Sequence, residues 1–153
     1  MNLIVLAIGK MKKNSPEQTL INNYIKQCGW PIQILELEEK RALSGEKLKE
    51  AESDLLRKHI PSCSKIVVLD ERGANISSKE FSEKLVSWQD CGCKQIALLI
   101  GGADGHHTSL RQEADLILSF GKMTLPHMLM RLVLCEQLYR AYTISIGHPY
   151  HKD

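Results

Sequence analysis

The sequence predicts an α/β fold, an open and mostly parallel sheet of five or six strands flanked by helices. Short apolar runs alternate with amphipathic segments that carry helix-start signals, and this β-α-β-α order is typical of such sheets. Most of the apolar runs are continuous, as expected for strands buried on both faces. No repeat, linker or low-complexity segment interrupts the 153 residues, so we expect one domain over 1–153.

The first half of the chain predicts two strands and two helices. Leu3–Ile8 and Ile32–Leu37 are the strands. Ser15 and Pro16 start the helix between them, because serine caps a helix N-terminus and proline suits the first helical position. Gly29 is expected just beyond the end of that helix. Ser44 then caps a second helix, whose apolar side is formed by Leu48, Ala51, Leu55 and Leu56.

The second half predicts three strands and three helices. Ser77 and Glu80 form a capping box at the start of the third helix. A short helix is expected at Thr108 or Ser109, and a long one begins near Pro126. The strands between these helices are the apolar runs Ile66–Leu69, Ile96–Ile100 and Leu116–Leu118.

Composition excludes several classes of protein. With 43% hydrophobic and 25% charged residues the chain is an ordinary globular one. No apolar run approaches the roughly 20 residues of a membrane span, and the N-terminus lacks a basic leader, so we expect a cytoplasmic protein without membrane contact. The net charge of +2 and the scattered basic residues do not by themselves indicate a nucleic-acid binder.

The five cysteines have no disulfide framework spacing, and in a reducing compartment we expect free core thiols. Cys91 and Cys93 form one tight pair, but no second pair of cysteines or histidines completes a zinc site. His148 and His151 likewise lack a local carboxylate or thiol partner. We therefore expect no metal.

A glycine corner and a later loop are the candidate ligand site. Gly101 and Gly102 follow the strand Ile96–Ile100, and ligands of open α/β sheets bind beyond the carboxyl ends of strands. Glycines there let a ligand approach the backbone, although most such pairs serve only as turns. The loop from Phe120 to Leu125 has no strong acid or base, which suits recognition by backbone groups and apolar walls, or a connection packed on the core.

Several polar residues have two interpretations each. Asp70 and Glu71 follow a strand and either contact a ligand or form a solvated group beside Arg72. Arg131 either binds an anionic group or pairs with Glu136 or another surface carboxylate. The neighbouring histidines at 106 and 107 are expected in a solvent-exposed turn.

The C-terminal tail combines imidazole, aromatic and basic groups. Termini usually fray, but Pro149 stiffens this one. Tyr150 is able to stack on a base and Lys152 to meet a phosphate.

Five blocks in order carry a resemblance to a known family. They are IVVLDERG, LLIGGADG, LSFGKMTLPH, RLVLCEQLYRAYTI and the terminus HPYHKD, and the match extends upstream to the opening LIVLAIGKMK. Together they resemble the RlmH family, ribosomal large-subunit pseudouridine N3-methyltransferases of the SPOUT or α/β-knot class. The resemblance covers nearly the whole chain.

The resemblance implies a C-terminal trefoil knot, against the general rule that folds avoid knots. It also implies a homodimer, S-adenosyl-L-methionine as cofactor, and methylation of N3 of a pseudouridine in 23S rRNA on the assembled ribosome. The cofactor-binding residues that it and the glycine corner indicate are Leu69, Gly101, Gly102, Phe120, Gly121, Lys122, Met123, Thr124 and Leu125.

The reaction also needs RNA contacts and a proton acceptor. Arg131, Tyr150 and Lys152 are the RNA-binding candidates, and His151 or His148 is the candidate base because imidazole accepts protons near neutrality. Since the charge is low, we expect a preformed ribosomal surface as substrate and a composite site built by a dimer.

The chain departs from the family pattern in three places: Ala103 and Asp104, the stretch 106–108, and Lys152, which cannot make the two-pronged phosphate contact of an arginine. The departures at Ala103 and His106 motivate one alternative, a non-catalytic RNA-binding protein of the same fold.

Overall fold

A computed structural model describes residues 1–152, and its elements follow the predicted order. The strands are β1 (Asn2–Ile8), β2 (Ile32–Leu37), β3 (Lys65–Ala74), β4 (Gln95–Ile100) and β5 (Leu116–Leu118). The helices are α1 (Pro16–Gln27), α2 (Gly45–His59), α3 (Ser78–Asp90), α4 (Thr108–Gln112) and α5 (His127–Ser145). Asp153, the last residue of the predicted domain and of the tail motif, lies outside the described residues.

The five strands form one parallel sheet in the order β2-β1-β4-β3-β5. β1 and β4 lie in the centre and are almost wholly buried, which explains their continuous apolar sequences. Because all strands run in one direction, their carboxyl ends meet at a single edge of the sheet. The predicted open parallel sheet is confirmed, with five strands.

Helices cover both faces of the sheet. One apolar core joins the sheet to α3 and α5 and contains Phe81, Leu85, Trp88, Leu134 and Leu138. The other lies under α2 and α4 and is built around Leu56, Val68, Leu99 and Leu110. Two cores on opposite faces are the expected result of helices that alternate with parallel strands.

The helix-start signals mostly act as predicted. Ser15 accepts a hydrogen bond from the Gln18 amide at 3.2 Å, and Ser77 and Glu80 form the reciprocal capping box. Ser44 is at the N-cap position of α2 but makes no capping hydrogen bond with its side chain. Gly29 follows α1, where a built Cβ would lie 2.2 Å from the Tyr142 ring, so close packing on α5 requires this glycine.

β3 is longer than the apolar run Ile66–Leu69. It continues through a bulge to Ala74, which pairs with Leu118 of β5. Gly73 lies against β5 so closely that a Cβ would approach the Ile117 carbonyl oxygen to 2.5 Å. The polar residues after Leu69 are therefore held by the sheet and project at its edge.

The five cysteines form no disulfide within residues 1–152. Cys135 is buried, but Cys63 and Cys91 are exposed, so the expectation of core thiols is wrong for these two. No helix in that range is both long and apolar enough to cross a bilayer.

Candidate functional site

A cavity of about 520 Å³ opens where the carboxyl ends of β3, β4 and β5 meet. The turn after β4, the loop after β5 and the first residues of α5 enclose it. The predicted cofactor-binding residues that line it are Leu69, Gly101, Gly102, Phe120, Gly121, Met123, Thr124 and Leu125. Lys122 is exposed and does not line it.

The two glycines of the corner are closely packed on the side where a Cβ would lie. A Cβ on Gly101 would lie 3.1 Å from the Gly105 carbonyl carbon and 3.2 Å from His106 Cε1. A Cβ on Gly102 would lie 2.4 Å from Glu52 Oε2. Gly102 and Gly105 form an isolated bridge that closes the turn. The backbone itself therefore forms this wall of the cavity. The Glu52 carboxyl lies behind the wall, and burial, together with Asp104 and Glu39, raises its pKa.

The loop after β5 forms the opposite wall. The Ser119 hydroxyl accepts a hydrogen bond from the Gly121 amide and donates one to the Gly121 carbonyl, both at 3.1 Å. Gly121 has a φ of +115°, which favours glycine there. Phe120 packs against the core, whereas Met123 is 85% exposed at the cavity mouth.

Asp70 and Arg111 form an ion pair in the cavity wall, with 3.3 Å between Nη1 and Oδ2. Both side chains are largely buried, and Asp70 also accepts a hydrogen bond from the Arg72 amide at 3.0 Å. The interpretation of Asp70 as part of a solvated group is therefore wrong. Sequence reasoning missed Arg111, whose partner lies 41 residues away along the chain.

The expectation of an exposed turn at the two histidines is wrong for His106. Its side chain is buried beneath Gly101 and lines the cavity, and burial lowers its pKa to about 4. His107 is half-buried at the N-cap of α4, where it accepts a hydrogen bond from the Ser109 amide at 3.3 Å. His127 at the start of α5 also lines the cavity, and burial lowers its pKa.

Arg131 is fully buried and faces away from solvent. Its guanidinium donates to Glu36 Oε1 at 2.7 Å and to the carbonyls of Ile8 and Gly9 at 2.9 and 2.7 Å. The Glu136 pair foreseen for it belongs to Arg140. The position of Arg131 does not support the predicted contact with RNA, because its donors already hold α5 against β1 and β2.

The tail folds back onto α5. Tyr150 packs edge-on against Tyr139, with ring centroids 4.7 Å apart, and its hydroxyl donates to Glu136 at 3.2 Å. The Arg140 guanidinium lies 4.8 Å from the Tyr150 ring. Burial is the main reason why the pKa of the Tyr150 hydroxyl is raised. The tail is thus ordered by specific contacts.

The other predicted tail residues lie near this anchor. His151 Nδ1 is 3.3 Å from Arg140 Nη1, His148 Nδ1 accepts a hydrogen bond from the Tyr150 amide at 3.2 Å, and Lys152 is exposed. None of these side chains lines the cavity of the same chain. Within residues 1–152, no cluster of three or more histidine, cysteine or carboxylate side chains is arranged to hold a metal.

Comparisons with known proteins identify the family of this chain. The family model described as "Predicted SPOUT methyltransferase" matches residues 1–151, so the chain belongs to the SPOUT methyltransferase family. It is 49% identical, over 99% of both chains, to "Ribosomal RNA large subunit methyltransferase H" of Paramagnetospirillum magneticum. It is 43% identical, over the same shares, to the protein of that name from Rhodospirillum centenum.

Two solved structures share the fold. A probable methylase family protein from Haemophilus influenzae superposes with a TM-score of 0.58 at 14% identity, covering 95% of this chain and 66% of that one. The tRNA (m1G37) methyltransferase from Aquifex aeolicus gives a TM-score of 0.53 at 12% identity, covering 100% of this chain and 76% of that one. The trefoil knot stays a prediction.

Proposed function

We propose that this chain is an S-adenosyl-L-methionine-dependent methyltransferase that methylates N3 of a pseudouridine in 23S rRNA of the assembled ribosome. The observation that carries the proposal is the open cavity between the Gly101–Gly102 turn and the loop 120–125, in a chain 49% identical, over 99% of its length, to a ribosomal RNA large subunit methyltransferase H. The substrate places the reaction in the cytoplasm, where ribosomes assemble and work.

The cavity fits this cofactor. Its volume of about 520 Å³ lies in the range of small-molecule sites. Gly101 and Gly102 line it without side chains, so their main-chain atoms border the space. We assign cofactor binding to Leu69 on β3, to that corner, and to the loop 120–125 apart from Lys122, which does not line the cavity.

The chemistry divides between cofactor and protein. The bound sulfonium supplies an electrophilic methyl carbon, so the protein has to orient the groups and move a proton. N3 of the pseudouridine carries a hydrogen that has to leave as the N–CH₃ bond forms. His151 or His148 accepts it in our proposal, because a neutral imidazole takes up a proton near neutrality.

A homodimer would place the C-terminal tail of one copy at the cavity of the other copy. The tail is anchored at Glu136 and Tyr139, and a helix rise of 1.5 Å per residue places Glu136 about 14 Å along α5 from His127 at the cavity. We therefore propose that the tail of a second copy completes each cavity. This composite site would put an imidazole beside the base and the cofactor together.

We assign RNA contact to the C-terminal tail. Lys152 is exposed for a phosphate and Tyr150 borders the same surface. Because Arg131 is buried, it is not among the proposed RNA ligands. With a net charge of only +2, phosphate affinity is small, which supports a preformed ribosomal surface as the substrate.

The test is methyl transfer to ribosomes from a strain lacking this gene, followed by mass mapping of the rRNA. We expect one N3-methylpseudouridine in 23S rRNA from intact ribosomes, and far less transfer to short naked RNA. Comparable transfer to naked RNA would contradict the ribosomal substrate. His148→Ala and His151→Ala, each assayed at saturating cofactor, identify the proton acceptor, and unchanged turnover in both would remove these side chains as bases.

The non-catalytic alternative predicts a filled or missing cofactor site. The departures at Ala103 and His106 leave the cavity open, and Ala103 lines it as an exposed residue. Calorimetry with S-adenosyl-L-methionine separates the two functions, since only the enzyme needs to bind it.

A further inference from the structure

His106 occupies an unusual position for a histidine. It lies between β4 and α4, is only 4% exposed, and forms part of the cavity wall beneath Gly101. Among residues 1–152, neither ring nitrogen has a hydrogen-bond partner. Backbone groups of Leu69 and Leu99 lie near the ring, but their geometry falls short of a hydrogen bond.

A buried polar group without a partner destabilises the protein, and native structures contain few of them. An apolar side chain would fill the same space without that cost. Packing alone therefore does not explain an imidazole at this position. A ligand in the cavity that supplies the missing hydrogen-bond partners would offset the free energy lost by burying the ring nitrogens.

The charged groups around the ring define its protonation state. Burial disfavours the imidazolium, Asp70 on β3 favours it, and Arg111 on α4 disfavours it. Burial has the largest effect, so the ring is neutral at pH 7. A neutral imidazole offers one donor and one acceptor, in contrast to the charged side chains of the same cavity.

We propose that His106 is a further ligand-binding residue that forms a hydrogen bond with the uncharged nucleoside part of the bound methyl donor. Ribose hydroxyls and adenine nitrogens match a neutral donor-acceptor group, whereas the ammonium and carboxylate at the other end prefer charged partners. The cavity offers such partners in Glu71 and Arg72. This inference rests on the proposed function, because it requires a nucleoside cofactor.

The test compares four proteins by calorimetry with S-adenosylhomocysteine: the wild type, His106→Leu, His106→Gln and His107→Asn. His106→Leu removes both hydrogen-bonding atoms, and we expect binding weaker by about 5–15-fold, the size of one neutral hydrogen bond. His106→Gln keeps a neutral donor and acceptor and should stay within about threefold of the wild type. His107→Asn removes one imidazole outside the cavity but keeps an N-cap side chain, and its affinity should be unchanged.

Two further readouts separate ligand binding from a structural role. Without ligand, His106→Leu should melt at the wild-type temperature or about 2–4 °C above it, because an unsatisfied polar group is gone. With 5′-methylthioadenosine, which lacks the amino-acid end, the loss of affinity should equal that seen with S-adenosylhomocysteine.

The outcomes are distinguishable. If the wild type binds neither ligand, the proposed function fails and this inference fails with it. If the wild type binds and His106→Leu binds equally well, only this inference is overturned. A loss confined to S-adenosylhomocysteine would place the contact at the amino-acid end and overturn the nucleoside assignment. A lower melting temperature in both His106 variants, with unchanged affinity for both ligands, would show that the ring serves packing and would overturn this inference.

Discussion

Arg131 on α5 and Glu36 on β2 form an ion pair of 2.7 Å whose guanidinium is completely buried. The same guanidinium donates to the carbonyls of Ile8 and Gly9 at the carboxyl end of β1. One side chain thus holds together the helix that borders the cavity and the edge of the sheet.

Arg131→Leu should lower the free energy of unfolding by about 3 kcal/mol, because it removes the guanidinium that pairs with Glu36 and donates to two carbonyls. Among the described residues, Glu36 is then left with only the Met11 amide as donor. Urea unfolding measures the loss. Arg41→Leu is the control, since Arg41 is an exposed arginine that also pairs with a glutamate, and its midpoint should not move. Equal effects of the two substitutions would contradict the structural role of Arg131.

Gly101→Ala should weaken cofactor binding by at least about tenfold, because a Cβ would press on the Gly105 backbone and the His106 ring and shift the turn that lines the cavity. Calorimetry with S-adenosylhomocysteine checks this. Gly92→Ala is the matched control, since its φ of +86° strains an alanine but the site is open and far from the cavity. Gly92→Ala should lose stability and keep its affinity for S-adenosylhomocysteine. Wild-type affinity in Gly101→Ala would contradict the proposal that the Gly101–Gly102 turn binds the cofactor.

Tyr150→Ala should reduce methyl transfer to ribosomes at least about tenfold while leaving cofactor affinity within twofold, because it frees the tail that orients the candidate base. Single-turnover rates and calorimetry separate the two effects. Ile146→Ala removes an exposed apolar side chain near the same end and should change neither. Wild-type turnover in Tyr150→Ala would show that the anchored tail is not needed.

Acid should destabilise the protein through His106. Burial lowers its folded pKa to about 4, below the usual value of 6.5, so the unfolded chain binds more protons between these two values. The free energy of unfolding is therefore unaffected by this titration above pH 6.5 and falls as the pH drops, by about 3 kcal/mol at pH 4. Urea unfolding at pH 7 and pH 4 should show this loss in the wild type and a smaller one in His106→Leu, and identical losses in both proteins would refute it.

The strands could be predicted from sequence because their signal is local. Ile32–Leu37 and Leu116–Leu118 have the predicted bounds, while β1 and β4 each gain one residue. The extension of β3 to Ala74 could not be predicted, because it follows three polar residues and Ala74 rejoins the sheet only through a bulge, by pairing with Leu118.

The candidate site was only partly predictable for the same reason. The glycine corner and the loop 120–125 carry local signals and line one cavity. The burial of Arg131 depends on Glu36, which lies 95 residues away, and Asp70 finds Arg111 across 41 residues. The burial of His106 depends on how the turn after β4 folds over it. Such partners are fixed by tertiary packing, which sequence spacing does not contain.

In our proposal, main-chain atoms of the Gly101–Gly102 turn and the loop 120–125 hold the methyl donor at the carboxyl edge of the sheet. A crystal structure of the protein with S-adenosylhomocysteine locates the bound ligand. We expect it between Gly101 and the loop 120–125, in contact with Leu69. A cavity that stays empty at saturating ligand, or a ligand bound elsewhere on the chain, would overturn the proposed site.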